Sequence, residues 1–253
     1  MGRALVRRWE TIGFDRKVEL SWLDAVASKV AAGATEEEVR AYLWRLLKGA
    51  VAGEGPHSAR GKTVTVLAHI WSQVPEEARA LRDRAARLLP EVPPEHRMAL
   101  HWAMALATYP FFADVATAVG RLLVLQENVA LAQVTRRLVE LWGERTTMVR
   151  AAQRVVRSMV QWGVLKDTAE RGVYERAGPP MEPGGPLAQL LLEALLLGVS
   201  SDGMPVDQAI QHPALFPFRL DLAAHDLRRA ARFHIHRQGL DVDVVGLAQG
   251  AGT

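Results

Sequence analysis

The chain has 253 residues, of which 49% are hydrophobic and 23% are charged, and its formal net charge is +3. This composition is ordinary for a globular protein and excludes wholesale disorder. The chain contains no cysteine, which excludes disulfide frameworks, thiolate metal sites and cysteine nucleophiles. The start of the chain lacks the apolar core of a signal peptide, and the longest apolar stretches do not have the pattern of membrane spans. We therefore expect a soluble, cytoplasmic protein with no membrane contact.

The N-terminal part of the sequence shows helical periodicity and few strand signals, so a mainly α structure is predicted. Thr35 and Glu38 have the spacing of a capping box, which predicts a helix that begins after Thr35 and ends at Gly49. Further helices are expected at 21–32, 63–72, 75–89 and 96–108, with a loop at 52–62 and a break at 90–94. For the segment 63–72, a strand is the less favoured alternative.

A segment rich in proline and glycine, 177–186, cannot hold a helix or a central strand and is interpreted as a linker. It separates the last third of the chain from the rest. The sequence therefore predicts a helical N-terminal region over 1–108, a central module over 109–178 and a C-terminal module over 186–253.

The central module has the pattern of a small helical domain followed by a hairpin. Its expected elements are helices at 111–126, 131–142 and 146–162 and strand-like runs at 164–166 and 172–176. Gly143 provides the backbone freedom for a tight turn between the second and third helices. Thr146 or Thr147 is expected to cap the third helix. On the second helix, Leu141 is assigned to the buried face.

The charges of the third helix are of one sign. No aspartate or glutamate lies between Arg145 and Lys166. The buried side of the helix is predicted to carry Met148, Ala152, Val155, Val156, Met159 and Val160. Its outward stripe is predicted to carry Thr147, Arg150, Arg154 and Arg157, with Gln153 and Gln161 beside it. Positive charge clustered on one element is the electrostatic footprint of a phosphate-binding surface.

The order helix, helix, turn, helix, hairpin over Phe111–Arg176 resembles the winged-helix superfamily, and so does the passage Val160–Leu165 between third helix and hairpin. The resemblance covers about a quarter of the chain. It implies that the third helix enters the major groove, where arginine pairs with guanine and Gln153 with adenine. It further implies phosphate contacts from residues beside this helix and on the wing, namely Arg136, Arg137, Arg145, Lys166 and Arg171.

These observations predict a non-enzymatic DNA-binding protein without a cofactor, either a transcriptional regulator or a DNA-docking subunit of a larger complex. The N-terminal helices are expected to mediate homodimerisation or to bind a partner protein. A protein-interaction scaffold is the alternative, because winged helices also bind proteins and an arginine stripe can be a solvated helix face. An unrecognised enzyme is a third hypothesis. Trp142, Trp162 and Tyr174 are expected in the core rather than stacked on bases.

The C-terminal module repeats a similar order of elements. Helices are expected at 186–199 and 205–211, followed by a loop at 212–218, a third helix from Asp221 to Arg232, and strands at 233–237 and 240–247. This order suggests either a second, degenerate winged helix or an α/β cap on the first. The two modules do not align visibly in sequence, so the suggestion depends on element order alone.

Gly61-Lys62-Thr63 resembles the end of a phosphate-binding loop. That motif needs a glycine five positions before Gly61, and Pro56 stands there. No nucleotide site is therefore predicted. No nucleophile-elbow pattern is present either, and no catalytic residue is assigned.

His234 and His236 alternate along a predicted strand and so point to the same face. Such a pair can bind a metal ion only with a third ligand, for which His225 or Asp241 would be required. Two histidines on a wing strand are more often surface residues. No metal site is therefore predicted.

Overall fold

The computed structural model describes residues 12–199, 203–239 and 242–248. Over these ranges the chain is mainly helical, as the sequence predicts, with two small antiparallel sheets. The helices are α1 (Leu20–Ala31), α2 (Glu36–Leu46), α3 (Ala59–Trp71), α4 (Arg79–Leu88), α5 (Met98–Thr108), α6 (Pro110–Leu125), α7 (Leu131–Trp142), α8 (Thr146–Gln161), α9 (Gly185–Gly198), α10 (Val206–Ile210) and α11 (Ala224–Arg228). The strands are β1 (Asn128–Ala130), β2 (Leu165–Asp167), β3 (Val173–Arg176), β4 (Met204–Pro205), β5 (Phe233–Gln238) and β6 (Val242–Leu247), and 3-10 turns cover Glu76–Ala78, Pro94–His96 and Pro213–Leu215.

Side-chain caps set two helix starts in the N-terminal part. The capping box of α2 is present: the Thr35 backbone N–H donates to Glu38 Oε2 over 2.8 Å, and the Glu38 N–H donates to Thr35 Oγ1 over 3.3 Å. α3 begins earlier than predicted, because Ser58 Oγ accepts a hydrogen bond from the Gly61 N–H at 3.1 Å. Since a serine cap satisfies a backbone donor that the first turn leaves free, residues 59–62 are helical and not part of the loop.

One indole ring joins the three parts of the buried cluster. Trp102 on α5 is fully buried, and its ring centroid lies 5.0 Å from that of Phe112, 6.1 Å from that of Trp162 and 5.4 Å from that of Phe216. Its Nε1–H donates to the Ala214 carbonyl oxygen at 3.0 Å. The helical region, the central module and the C-terminal module therefore share one core.

α5 and α6 form the apolar centre of the fold. Every residue of α5 is buried, and Pro110 begins α6 at a first-turn position where a missing N–H costs no hydrogen bond. Within the described ranges, no single helix is both long and apolar enough to cross a membrane. The segments Pro94–Thr108 and Pro110–Leu125 reach that length and composition only as a pair, which is bent by 117°.

A buried histidine links three helices. His101 Nδ1 accepts a hydrogen bond from Trp71 Nε1–H at 3.1 Å, and His101 Nε2 lies 2.9 Å from Asp24 Oδ1. This arrangement requires the neutral tautomer with its proton on Nε2, since Nδ1 already accepts. Burial lowers the pKa of His101 and so favours that neutral form.

Histidines that are fully or partly buried predict a loss of stability in acid. Burial, together with the charge of Arg121, lowers the pKa of His212 to about 4, whereas an unfolded histidine titrates near 6.5. Below about pH 6.5 the unfolded chain therefore binds protons that the folded chain does not, and stability falls as the pH approaches about 4. We expect the free energy of unfolding, measured with urea, to be lower by about 2–4 kcal/mol at pH 4.5 than at pH 7.5.

The variant His212→Asn isolates one part of this effect. His212 Nδ1 accepts from the Ala214 backbone N–H at 3.2 Å, and an asparagine oxygen keeps an acceptor there without titrating. The variant should therefore recover about 2–3 kcal/mol of the acid loss. An acid loss equal to that of the parent protein would show that His212 does not contribute.

The proline- and glycine-rich segment is tied to the C-terminal module. The Met181 N–H donates to the Pro217 carbonyl oxygen at 2.8 Å, and the Arg219 N–H donates to the Met181 carbonyl oxygen at 2.9 Å. Pro183 is buried. The segment contains no helix before Gly185, as its composition predicts, but backbone hydrogen bonds hold it in place.

The two sheets have the same strand order. The central sheet is ordered β1-β3-β2, and the C-terminal sheet is ordered β4-β6-β5. β1 was not predicted, because its three residues gain their strand structure from pairing with β3, where Val129 lies opposite Tyr174. Each sheet belongs to a module with the order helix, strand, helix, helix, strand, strand.

The third helix of the C-terminal module is shorter than predicted. α11 begins at Ala224 and not at Asp221, since Asp226 Oδ2 accepts a hydrogen bond from the Ala223 N–H at 3.1 Å. The helix ends at Arg228, and the chain then turns into β5. The first two residues of the predicted strand 240–247 lie outside the described ranges.

Candidate nucleic-acid interface

The turn between α7 and α8 sets the direction of α8. Gly143 has a φ of 73°, a left-handed conformation that suits glycine, and it ends α7. Arg145 is the N-cap of α8 in extended conformation, and no side chain caps the helix. The predicted threonine cap was wrong, because the short turn makes Thr146 already the first helical residue.

α8 is amphipathic, with a buried face that matches most of the predicted one. Its buried residues are Met148, Ala151, Ala152, Val155, Val156, Ser158 and Met159. Val160, which was predicted to be buried, is only partly buried. On α7, Leu141 is 39% exposed while Trp142 is buried, so the prediction for Leu141 was wrong. The Trp142 ring packs edge-on against Phe111, with the ring centroids 5.2 Å apart.

The opposite face of α8 is open to solvent. Thr147, Arg150, Gln153 and Arg154 are all exposed. Arg150 and Arg154 are four positions apart, so their side chains lie on the same side of the helix. Within the described residues, neither arginine forms an ion pair. This face therefore presents two uncompensated guanidinium groups with a glutamine between them.

Two of the predicted contact residues are engaged within the module. Arg157 Nη1 lies 2.5 Å from Asp167 Oδ1, and this hydrogen bond raises the pKa of the guanidinium. Lys166 Nζ lies 2.9 Å from Glu175 Oε1. These pairs connect α8 to β2 and connect β2 to β3. Their positive charges are consequently less available to a phosphate than those of Arg150 and Arg154.

The other predicted phosphate contacts lie around α8. Arg136 and Arg145 are exposed, Arg137 is partly buried, and Arg171 is exposed at the tip of the hairpin. No ion pair involves any of these four residues in the described part of the chain. The hairpin turn is held by Thr168 Oγ1, which donates to the Val173 carbonyl oxygen at 3.1 Å.

The segment before α1 anchors the C-terminal end of α8. The Val18 N–H donates to Ser158 Oγ at 2.9 Å, and the Leu20 N–H donates to Gln161 Oε1 at 2.7 Å. Trp162 Nε1–H donates to the Val18 carbonyl oxygen at 3.0 Å. Gln161 was predicted beside the outward stripe of α8, and its contact with Leu20 was not predicted. The one local signal is Ser158, a polar residue on the otherwise apolar face.

The aromatic residues of the module lie in its core. Trp142, Trp162 and Tyr174 are 4–5% exposed, so they are not available to stack on bases. Trp142 Nε1–H donates to Asp114 Oδ2 at 2.9 Å, which fixes α7 against α6. This burial confirms the predicted role of the three residues.

The His234 and His236 rings lie 5.6 Å apart, centroid to centroid, on the edge strand β5. No group of three histidine, aspartate or glutamate side chains placed to hold a metal ion occurs within the described ranges, and Asp241 lies outside them. His225 Nε2 lies 3.2 Å from Asp226 Oδ1, a neighbour in sequence. The histidine pair therefore has no third ligand among the described residues.

Comparisons with protein-family models, with curated proteins and with solved structures give no match.

Proposed function

We propose that this protein binds double-stranded DNA through a winged helix formed by α6, β1, α7, α8, β2 and β3. The topology that supports the proposal is the element order helix, strand, helix, helix, strand, strand together with the strand order β1-β3-β2. In this arrangement α8 is the recognition helix and the β2–β3 hairpin is the wing.

The observation that carries the proposal is the exposed face of α8. Arg150 and Arg154 are exposed and have no ion-pair partner among the described residues, and no acidic residue lies between Arg145 and Lys166. A solvated helix face usually mixes charges of both signs, because neighbouring opposite charges stabilise a helix. A face with one sign of charge is better suited to a polyanion.

The proposed contacts of each residue with bases or phosphates follow from its position on or beside α8. Arg150 and Gln153 lie in its first half, where a recognition helix meets base edges, and Arg154 continues the same side. Arg136, Arg145 and Arg171 lie on the flanking elements and contact phosphates, which positions the helix without reading sequence. Arg157 and Lys166 stabilise the wing and contribute less to binding.

The C-terminal module has the same element order but is less suited to DNA reading. Its third helix, α11, has five residues, which is too short to lie along a major groove. Arg228 Nη2 also pairs with Asp243 Oδ1 at 2.7 Å. We therefore assign DNA reading to α8 alone, in a protein that acts as a regulator or as the DNA-docking subunit of an assembly and performs no catalysis.

The test is fluorescence-anisotropy binding to a random-sequence duplex over a salt series. We expect micromolar binding at about 50 mM salt that weakens about 100-fold by 200 mM, as roughly four released counterions predict. The absence of binding at 50 mM, or binding that salt does not change, would contradict the proposal.

A protein-binding scaffold is the second candidate, because one observation favours it. Val124 and Leu125, at the end of α6, are 76% and 75% exposed and line a groove beside the hairpin. Exposed apolar residues that adjoin a groove are typical of surfaces that bind other proteins. If the protein is such a scaffold, the anisotropy experiment gives no DNA binding at low salt.

A further inference from the structure

A cavity of about 310 Å³ lies between α4 and the start of α9. No residue of the central module lines it, so it is separate from the proposed DNA surface. Its walls combine cationic and apolar side chains with one acidic residue at Glu91. The lining residues are Arg84, Arg87, Leu88, Glu91, Pro186, Leu190 and Arg232.

Two of the lining arginines share one buried carboxylate. Glu193 on α9 has a side chain that is 6% exposed; Arg84 Nη2 donates to its Oε1, and Arg232 Nε lies 3.3 Å from its Oε2. Two guanidinium groups therefore face a single carboxylate. Burial raises the pKa of Glu193, whereas the two arginines lower it.

The hydrogen bonds of this cluster are incomplete. The Nε–H groups of Arg84 and Arg232 are buried and lack an acceptor in hydrogen-bonding geometry within the described residues, and Glu193 Oε2 lacks a donor there. A buried donor without an acceptor is unfavourable, more so when it is charged. At the rim, Arg87 is exposed and forms no ion pair with a described residue. Three guanidinium groups therefore line the cavity: those of Arg84 and Arg232 share Glu193, Arg232 Nη2 also donates to Gln189 Oε1, and that of Arg87 is free of ion pairs with described residues.

We propose that this cavity binds a small organic oxyanion, a carboxylate or a phosphate ester. The arginines hold its charged group, since guanidinium forms bidentate hydrogen bonds to either oxyanion. Its apolar body lies against Leu88, Leu190 and Pro186. The size and the mixed lining suit a small molecule. α4 belongs to the helical region and Arg232 to the C-terminal module, so the bound anion contacts both of these parts of the chain. The site does not depend on the DNA-binding proposal.

The test is calorimetric titration of the full chain with phenyl phosphate and with benzoate, and benzyl alcohol is the neutral control. We expect saturable binding of at least one anion at one site, with a Kd near or below 1 mM (about −4 kcal/mol), and no binding of the alcohol. The more tightly bound anion identifies the headgroup. Arg87→Glu should weaken binding by about tenfold or more, because it reverses a charge at the rim without breaking an ion pair.

The matched control is Arg79→Glu, which changes another exposed arginine of α4 that does not line the cavity. Equal affinities in the Arg79→Glu variant and the parent protein would support the proposal. If neither anion binds up to about 10 mM, or if Arg87→Glu binds as well as the parent, the proposal is wrong. DNA affinity should be the same in parent and Arg87→Glu, and its loss would assign this surface to DNA phosphate instead.

Discussion

We expect the double substitution Arg150→Glu and Arg154→Glu to lower the affinity for duplex DNA by at least about 100-fold at low salt. Each arginine of a recognition helix contributes about 1–3 kcal/mol when it contacts a base or a phosphate, and glutamate adds repulsion from the backbone. Both side chains are exposed and form no ion pair within the described residues, so the fold should be retained. Anisotropy measures the affinity, and thermal unfolding checks that the Tm stays within a few degrees.

The matched control is the double variant Arg45→Glu and Arg79→Glu. It changes the net charge by the same amount at exposed positions on α2 and α4. A general effect of net charge would weaken DNA binding equally in both variants, whereas a recognition surface on α8 predicts a loss in only one. Full DNA affinity in a folded Arg150→Glu, Arg154→Glu protein would falsify the assignment of α8.

The second large effect is expected at Gly120. A Cβ at this position on α6 would lie 2.0 Å from the carbonyl oxygen of Pro213, in the 3-10 turn that crosses the helix. Backbone atoms must move to relieve such an overlap. We therefore expect Gly120→Ala to lower the free energy of unfolding by about 2–4 kcal/mol, even though alanine favours a helix. Urea unfolding measures the change, and the Tm should fall by about 5–10 °C.

Gly178→Ala is the control, because a Cβ at Gly178 meets no atom within 4 Å. Its stability should stay within about 0.5 kcal/mol of the parent. If Gly120→Ala were as stable as the control variant, the 3-10 turn would not pack against α6 as described. A loss of stability without a loss of DNA affinity at low temperature would further separate this contact from the α8 surface.

The elements predicted best are those whose signals are local. α7 begins and ends where the sequence predicts, since its apolar periodicity and the glycine after it both lie within the segment. The capping box at Thr35 depends on residues three positions apart. The hairpin of β2 and β3 likewise follows from alternation around a polar turn. Such patterns need no knowledge of what the segment packs against.

The elements and positions that were predicted wrongly depend instead on contacts with other parts of the fold. β1 is a strand because β3 lies beside it, and α11 ends at Arg228 because the chain then turns into β5. Leu141 and Trp142 were both predicted to be buried, but only Trp142 is, where its ring packs against Phe111. Local periodicity cannot show which of two adjacent apolar residues faces the core.

The features of the candidate site also fall into those that the sequence predicts and those that depend on tertiary contacts. The sequence by itself determined the mainly helical fold, the amphipathic α8 and its acid-free charge, because composition and 3.6-residue periodicity depend only on residue order. Only the tertiary structure decided which charges are free. It paired Arg157 with Asp167, anchored Gln161 to Leu20, and joined Arg84 and Arg232 at Glu193. Except for the Arg157–Asp167 pair, those contacts connect residues far apart in the chain. Their geometry exists only once the fold has brought the elements together.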